Sequence, residues 1–128
     1  MTPGIEDSGG KVGFESGAWR DIREGKGRFD LISPWALMRL AKHLELGAEK
    51  YGIRNWEKGI PLHTFIDSAL RHLTRYLMDK LLEREPAEDH LAAAMWNVMC
   101  AIHTEDLITL HHFPDELDDI AYQSPGPK

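Results

Sequence analysis

Two pairs of carboxylates have the spacing that metal chemistry requires. Glu45 and Glu49 stand one helical turn apart, so both project from the same side of a helix and can hold one or two divalent cations through oxygen. Glu45 also lies four residues from Ala41, beside an apolar stripe, where a carboxylate needs a partner. The second pair, Glu88 and Asp89, belongs to Glu85-Pro-Ala-Glu88-Asp89-His90, an acidic cluster at the start of a helix. Each pair also has a plain explanation. Lys42 and Lys50 flank the first, and acidic side chains at a helix start complement the dipole and cap free N–H groups.

Basic and aromatic groups suited to an anionic, planar ligand lie between and after these carboxylates. Lys50-Tyr-Gly-Ile-Arg54-Asn55-Trp56-Glu-Lys-Gly59 combines cations, a planar amide and aromatics, a composition suited to phosphate contacts, base stacking and edge hydrogen bonds, and equally to a Trp-anchored loop. Asp67 and Arg71 are an i,i+4 pair, followed by His72 and Arg75. They read either as a surface ion pair beside a core histidine or as phosphate contacts with a further metal ligand. Asn97 is a polar group within an apolar run, on the same stripe as His90, with Ala92, Ala93 and Ala94 leaving room for a ligand or a neighbouring helix. Arg20 to Asp30 sets Lys26 and Arg28 among glycines, a segment able to cover a phosphate or simply to form a polar loop.

The elements that must position these groups are helices. Ser33-Pro34 is an N-cap followed by proline at the first helical position; Leu37, Leu40, Ala41, Leu44 and Ala48 then repeat at helical spacing until Gly52, which predicts a helix over 34–50. Leu62, Phe65, Ile66, Ala69, Leu73, Tyr76, Leu77 and Leu81 predict a second over 61–82. A third, over 86–110, is apolar all round except at Asn97, as expected of a helix buried on several sides. No alternating strand pattern is present, so the expected class is all-α. Such an apolar third helix calls for a partner subunit, and a homo-oligomer is expected.

Seven of the 11 glycines fall within the first 27 residues, predicting little regular structure before Ile32 and a loose first dozen residues. From Pro114 a short acidic helix and a loose, solvated tail are expected. The resulting organisation is a flexible 1–16, one domain over 17–112 and an acidic tail over 113–128. The net charge of −6 gives no reason to expect nucleic-acid binding, and no apolar run approaches the roughly 20 residues of a membrane span, so a cytoplasmic protein is expected. An acidic chain that takes an anionic substrate must concentrate positive charge locally or hold metal ions. Cys100, the single cysteine, lies in an apolar run and reads as a buried thiol. Walker-type loops, His-Glu-x-x-His zinc motifs, nucleophile elbows and His-Asp dipeptides are absent.

Taken in order, Gly17-Ala-Trp-Arg-Asp-Ile-Arg-Glu-Gly-Lys-Gly-Arg-Phe-Asp-Leu31, Gly47-Ala-Glu-Lys-Tyr-Gly-Ile-Arg-Asn-Trp-Glu-Lys-Gly-Ile-Pro61, Asp67-Ser-Ala-Leu-Arg-His72 and Glu88-Asp-His-Leu-Ala-Ala-Ala-Met-Trp-Asn97 resemble a phage-associated dATP/dGTP diphosphohydrolase family that includes the MazZ enzymes. The resemblance covers roughly residues 17–105. It implies a MazG-like helical bundle completed by oligomerisation as a dimer or tetramer, two or more Mg²⁺ or Mn²⁺ ions, and hydrolysis between the α- and β-phosphates of purine deoxynucleotides. Among MazZ relatives it implies dGMP supply for 2-aminoadenine-containing phage DNA, inside an infected host cell. MazG-like enzymes carry Glu-Glu-x-x-Glu and Glu-x-x-Asp motifs; here Glu45 and Glu49 match only the outer pair of the first, and Glu88-Asp89 replaces the second loosely.

On this basis Glu45, Glu49, Glu88 and Asp89 are expected to hold the metals, with Asp67 as a further ligand, and a bound water to attack the α-phosphorus. Lys50, Arg54, Arg71, Lys26 and Arg28 are expected on the phosphates, His72 at the substrate site or, in place of Asp67, completing the metal shell, Trp56 on the base face, and Asn55 or Asn97 on its edge. The substrate would be dGTP or GTP, and also dATP. The rival reading is a noncatalytic helical interaction module whose acidic cluster caps a helix and whose apolar helix is an oligomer interface.

Overall fold

The computed structural model describes residues 4–5 and 9–120, which divide into two compact units between Ile32 and Ser33. The N-terminal unit contains a small antiparallel hairpin, β1 (Lys11–Gly13) and β2 (Trp19–Asp21), in the register Lys11↔Asp21, Val12↔Arg20 and Gly13↔Trp19. This is more order than the glycine count suggests. The strands are three residues long and largely exposed, so they leave no alternation of apolar and polar residues to read. At the open end of the hairpin the Gly10 carbonyl accepts from the Ile22 N–H at 3.1 Å, and a Cβ on Gly10 would press on the Ile22 side chain, 2.8 Å from Cδ1. The expected looseness of the first dozen residues falls partly on 1–3 and 6–8, outside the described residues.

The second unit holds three helices, and the class is all-α: α1 (Pro34–Tyr51), α2 (Leu62–Leu81) and α3 (His90–Thr109). The start and stop of α1 follow from local chemistry. The Ser33 side chain accepts a hydrogen bond from the Ala36 N–H at 3.2 Å, Pro34 opens the first turn, and Gly52, at φ 91°, ends the helix while donating to the Ala48 carbonyl. A short 3-10 turn, Asn55–Lys58, leads to α2. The start of α3 is four residues later than Pro86, because Asp89 is the residue whose side chain caps it, accepting from the Ala92 N–H at 3.1 Å.

Both α1 and α2 pack against α3. Leu62, Phe65, Cys100 and Ala101 form the core, with Trp56, Ile60, Trp96, Met99 and Ile108 packed around them. Ala69, Ala92, Ala93 and Ala94 are buried, and their small side chains let the α2 and α3 backbones approach. Cys100 is fully buried, as its apolar setting implied, and burial pushes its thiol up to about 12.

Only half of the predicted α2 stripe turns inward. Ile66, Leu70, Leu73, Leu77 and Leu81 are exposed, as are Leu91, Val98 and Ile102 of α3, so the chain does not cover α3 on every side by itself. The acidic segment after Pro114 forms only a 3-10 turn, Asp115–Leu117, and is not wholly solvated. The Asp119 carboxylate accepts from the His63 N–H at 3.0 Å and also meets the His63 ring, so it serves as a distant cap for α2. The tail beyond Ile120 lies outside the described residues.

Candidate functional site

A cavity of about 560 Å³ opens in the groove between α1 and α2, with Trp96 and Asn97 of α3 in its lining. Gly47, Ala48 and Gly52 leave room on the α1 side, where His43, Leu44 and Tyr51 also line the space. The 3-10 turn and the residues before it add Arg54, Asn55 and Trp56, while α2 adds Asp67, Ser68 and Arg71. Six of the residues expected at a nucleotide site therefore line one space: Arg54, Asn55, Trp56, Asp67, Arg71 and Asn97.

Most of these side chains are held by identifiable neighbours. Trp56 meets the His103 ring edge-on at 4.9 Å, and Trp96 meets Phe65 at 6.2 Å and His43 at 5.4 Å. Asn97 is buried and donates to the Ala93 carbonyl at 2.8 Å, leaving its carboxamide oxygen without a partner among the described residues. Arg54 adopts left-handed backbone dihedrals (φ 61°) and reaches Glu57 at 2.7 Å. Such a conformation is costly for a residue with a Cβ and recurs where a loop is held for a purpose. Arg71 contacts Asp67 at 3.3 Å and Ser68 at 3.2 Å, long distances that leave the guanidinium free to exchange partners for an anion.

A second cluster lies farther along the α2–α3 seam. His72 Nδ1 is 3.0 Å from His90 Nδ1 and 3.2 Å from Glu88 Oε1, and His90 Nδ1 is 3.9 Å from the same oxygen. Burial, ahead of the charges around it, lowers the pKa of His72. Among the described residues this trio alone brings three metal-ligating atoms within 4.8 Å of one another. Donors about 2.1 Å from one cation stand about 3.0 to 3.4 Å apart in octahedral or tetrahedral geometry, close to two of the three separations. Glu88 and His90 also line a smaller cavity of about 410 Å³ with Arg39, Tyr76 and Asp89.

The other expected site residues do not belong to this trio of ligating atoms. Asp89 is engaged by Arg39, which lowers its pKa, and caps α3 as well. Glu45 is exposed and lies 3.5 Å from Lys42. Glu49 is exposed on α1, and Lys50 lies over the Tyr51 ring at 4.9 Å, outside the cavity lining. Lys26 and Arg28 belong to the N-terminal unit, where Arg28 makes two 2.9 Å contacts with Asp30.

His90 was not singled out from the sequence, although a signal existed. In an antiparallel helical hairpin, residues that meet across the seam have nearly constant number sums: Phe65 meets Trp96, and His72 meets His90. Either pair predicts the other once the helices are assigned.

Comparison with curated proteins and with solved structures found no match, whereas the N-terminal domain family of dATP/dGTP diphosphohydrolases matches residues 16–110. That span includes the cavity, the histidine–glutamate cluster and all three helices, and the chain belongs to the dATP/dGTP diphosphohydrolase family, hydrolases acting on phosphoric anhydrides.

Proposed function

We propose that the chain converts purine nucleoside triphosphates, dGTP or GTP and also dATP, to the monophosphate and pyrophosphate in the 560 Å³ cavity. The observation that carries this reading is the convergence of Trp56, Asn97, Arg54 and Arg71 on one space of nucleotide size. Trp56 offers its face to the base, with Asn97 or Asn55 reading its edge. Arg54 and Arg71 take the phosphates and offset charge that builds on the departing pyrophosphate. A water in line with the departing group attacks the α-phosphorus.

Magnesium or manganese, as two or more ions, would neutralise the phosphates and acidify that water. Asp67 lines the cavity and offers a carboxylate to an ion held there. Glu45, Glu49 and Asp89 are candidates for further ions, for which Asp89 would have to leave Arg39. The exposed apolar stripes of α2 and α3 support a homodimer or tetramer that covers them. A place in phage nucleotide metabolism, supplying dGMP for 2-aminoadenine-containing DNA in the host cytoplasm, follows from the MazZ resemblance.

Incubating the protein with a panel of dNTPs and NTPs in Mg²⁺ or Mn²⁺ tests the reading. Monophosphate and pyrophosphate are the expected products. Orthophosphate with a diphosphate would refute attack at the α-phosphorus, and no turnover of any nucleotide would favour an interaction module.

A further inference from the structure

The histidine–glutamate cluster turns three electron-pair donors towards one another around a single shared hydrogen, an arrangement that a cation satisfies directly. The Asp79 carboxylate faces His90 Nε2 at 3.5 Å and is itself held by Arg84, whose Nε lies 2.6 Å from the other carboxylate oxygen. A carboxylate in that place favours the proton on His90 Nε2, which leaves Nδ1 as a lone pair. His72 Nδ1 then faces two acceptors, His90 Nδ1 at 3.0 Å and Glu88 Oε1 at 3.2 Å, with at most one hydrogen to share between them. His72 and His90 are both buried, so water is a poor substitute.

We infer that His72, His90 and Glu88 form a binding site for a first-row transition-metal cation of the Zn²⁺, Co²⁺ or Mn²⁺ kind, oriented by the Arg84–Asp79–His90 chain and selective against Mg²⁺. Two imidazole nitrogens and one carboxylate suit borderline cations, whereas Mg²⁺ takes oxygen ligands and retains its water. The carboxylate–histidine arrangement fixes the tautomer and ring orientation that a metal-bound histidine needs. Both rings then bind through Nδ1 as their Nε2–H tautomers, and the three donors converge without the mismatch. Glu88 is half exposed and lines the 410 Å³ cavity, so the cation keeps access to solvent and open coordination positions. The inference concerns binding by the chain's own residues and stands without the nucleotide reading.

Titrating the full chain, stripped of metal with a chelator, with Co²⁺ tests it through the visible ligand-field bands. One Co²⁺ per chain is expected, retained against a 100-fold excess of Mg²⁺ and displaced by Zn²⁺. His72→Ala and His90→Ala should abolish the bands, and Asp79→Asn should weaken binding roughly 10- to 100-fold. Glu88→Gln, on an exposed side chain that cannot compromise the core, should weaken it at least about 10-fold. Absence of stoichiometric Co²⁺ binding, displacement by equimolar Mg²⁺, or unchanged affinity in Glu88→Gln would overturn the site. If the histidine variants fail to fold, as judged by circular dichroism, Glu88→Gln alone decides.

Discussion

The Arg39 guanidinium holds the Asp89 carboxylate through two contacts, Nε to Oδ2 at 2.7 Å and Nη2 to Oδ1 at 2.5 Å, across fifty residues of sequence. It ties α1 to the cap of α3, so one aspartate serves both a tertiary link and a helix start.

These two roles are separable by mutation. Arg39→Ala and Asp89→Asn remove the charge pair, which is partly exposed and screened, and each should cost about 0.5 kcal/mol. Asp89→Ala also removes the cap and should cost about 1–2 kcal/mol. Urea unfolding measures all three. The Arg39 guanidinium, as the leading cause, holds the Asp89 pKa below its unfolded value. The contribution of the pair is therefore present above the unfolded pKa and is lost as pH falls through the folded one, so wild type and Arg39→Ala should converge in stability below about pH 4.

Within the cavity, Trp56→Ala should raise KM for dGTP about 10-fold through loss of stacking, with Trp56→Phe largely restoring it. Arg71→Ala should instead lower kcat about 10- to 100-fold, because charge on the departing group is greatest in the transition state. Steady-state kinetics with pyrophosphate detection separates the two effects. Equal loss of kcat in both variants would argue against the assigned roles.

The start of α1 and its stop at Gly52 were legible because Ser33, Pro34 and Gly52 act within a few residues of their own helix. The start of α3 was not, since Asp89 is fixed partly by Arg39 from another helix. Arg54, Asn55, Trp56, Asp67, Arg71 and Asn97 were all recognisable by residue type, yet their sharing of one cavity depends on how α1 and α2 flank α3. His90 lay hidden for the same reason: its partners are 2 and 18 residues away, and only the register of the helical hairpin brings all three together.

Cys100 should resist thiol reagents in the native protein. Its pKa of about 12 leaves almost no thiolate at pH 8, and it is fully buried. Labelling should be slow in buffer and immediate in denaturant. Because the folded value lies above the unfolded one of 9.0, stability from this group is intact below pH 9 and falls as pH rises from there towards 12.

The exposed stripe on α2 predicts an oligomer interface. Leu70 and Leu77 are 60% and 59% exposed in the single chain, so Leu70→Glu and Leu77→Glu cost a monomer little but disrupt an apolar interface. Sedimentation should show the variants as monomers and the wild type as a larger species. An unchanged mass in both variants would place any interface elsewhere.

The cavity is a seam between α1 and the α2–α3 hairpin, spanned by the Arg39–Asp89 pair and the His43–Trp96 ring contact. Opening the seam and partial unfolding of α1 are then closely related motions. A ligand lodged there binds only the docked form, so its occupancy should slow amide hydrogen exchange along α1, including turns that never touch it.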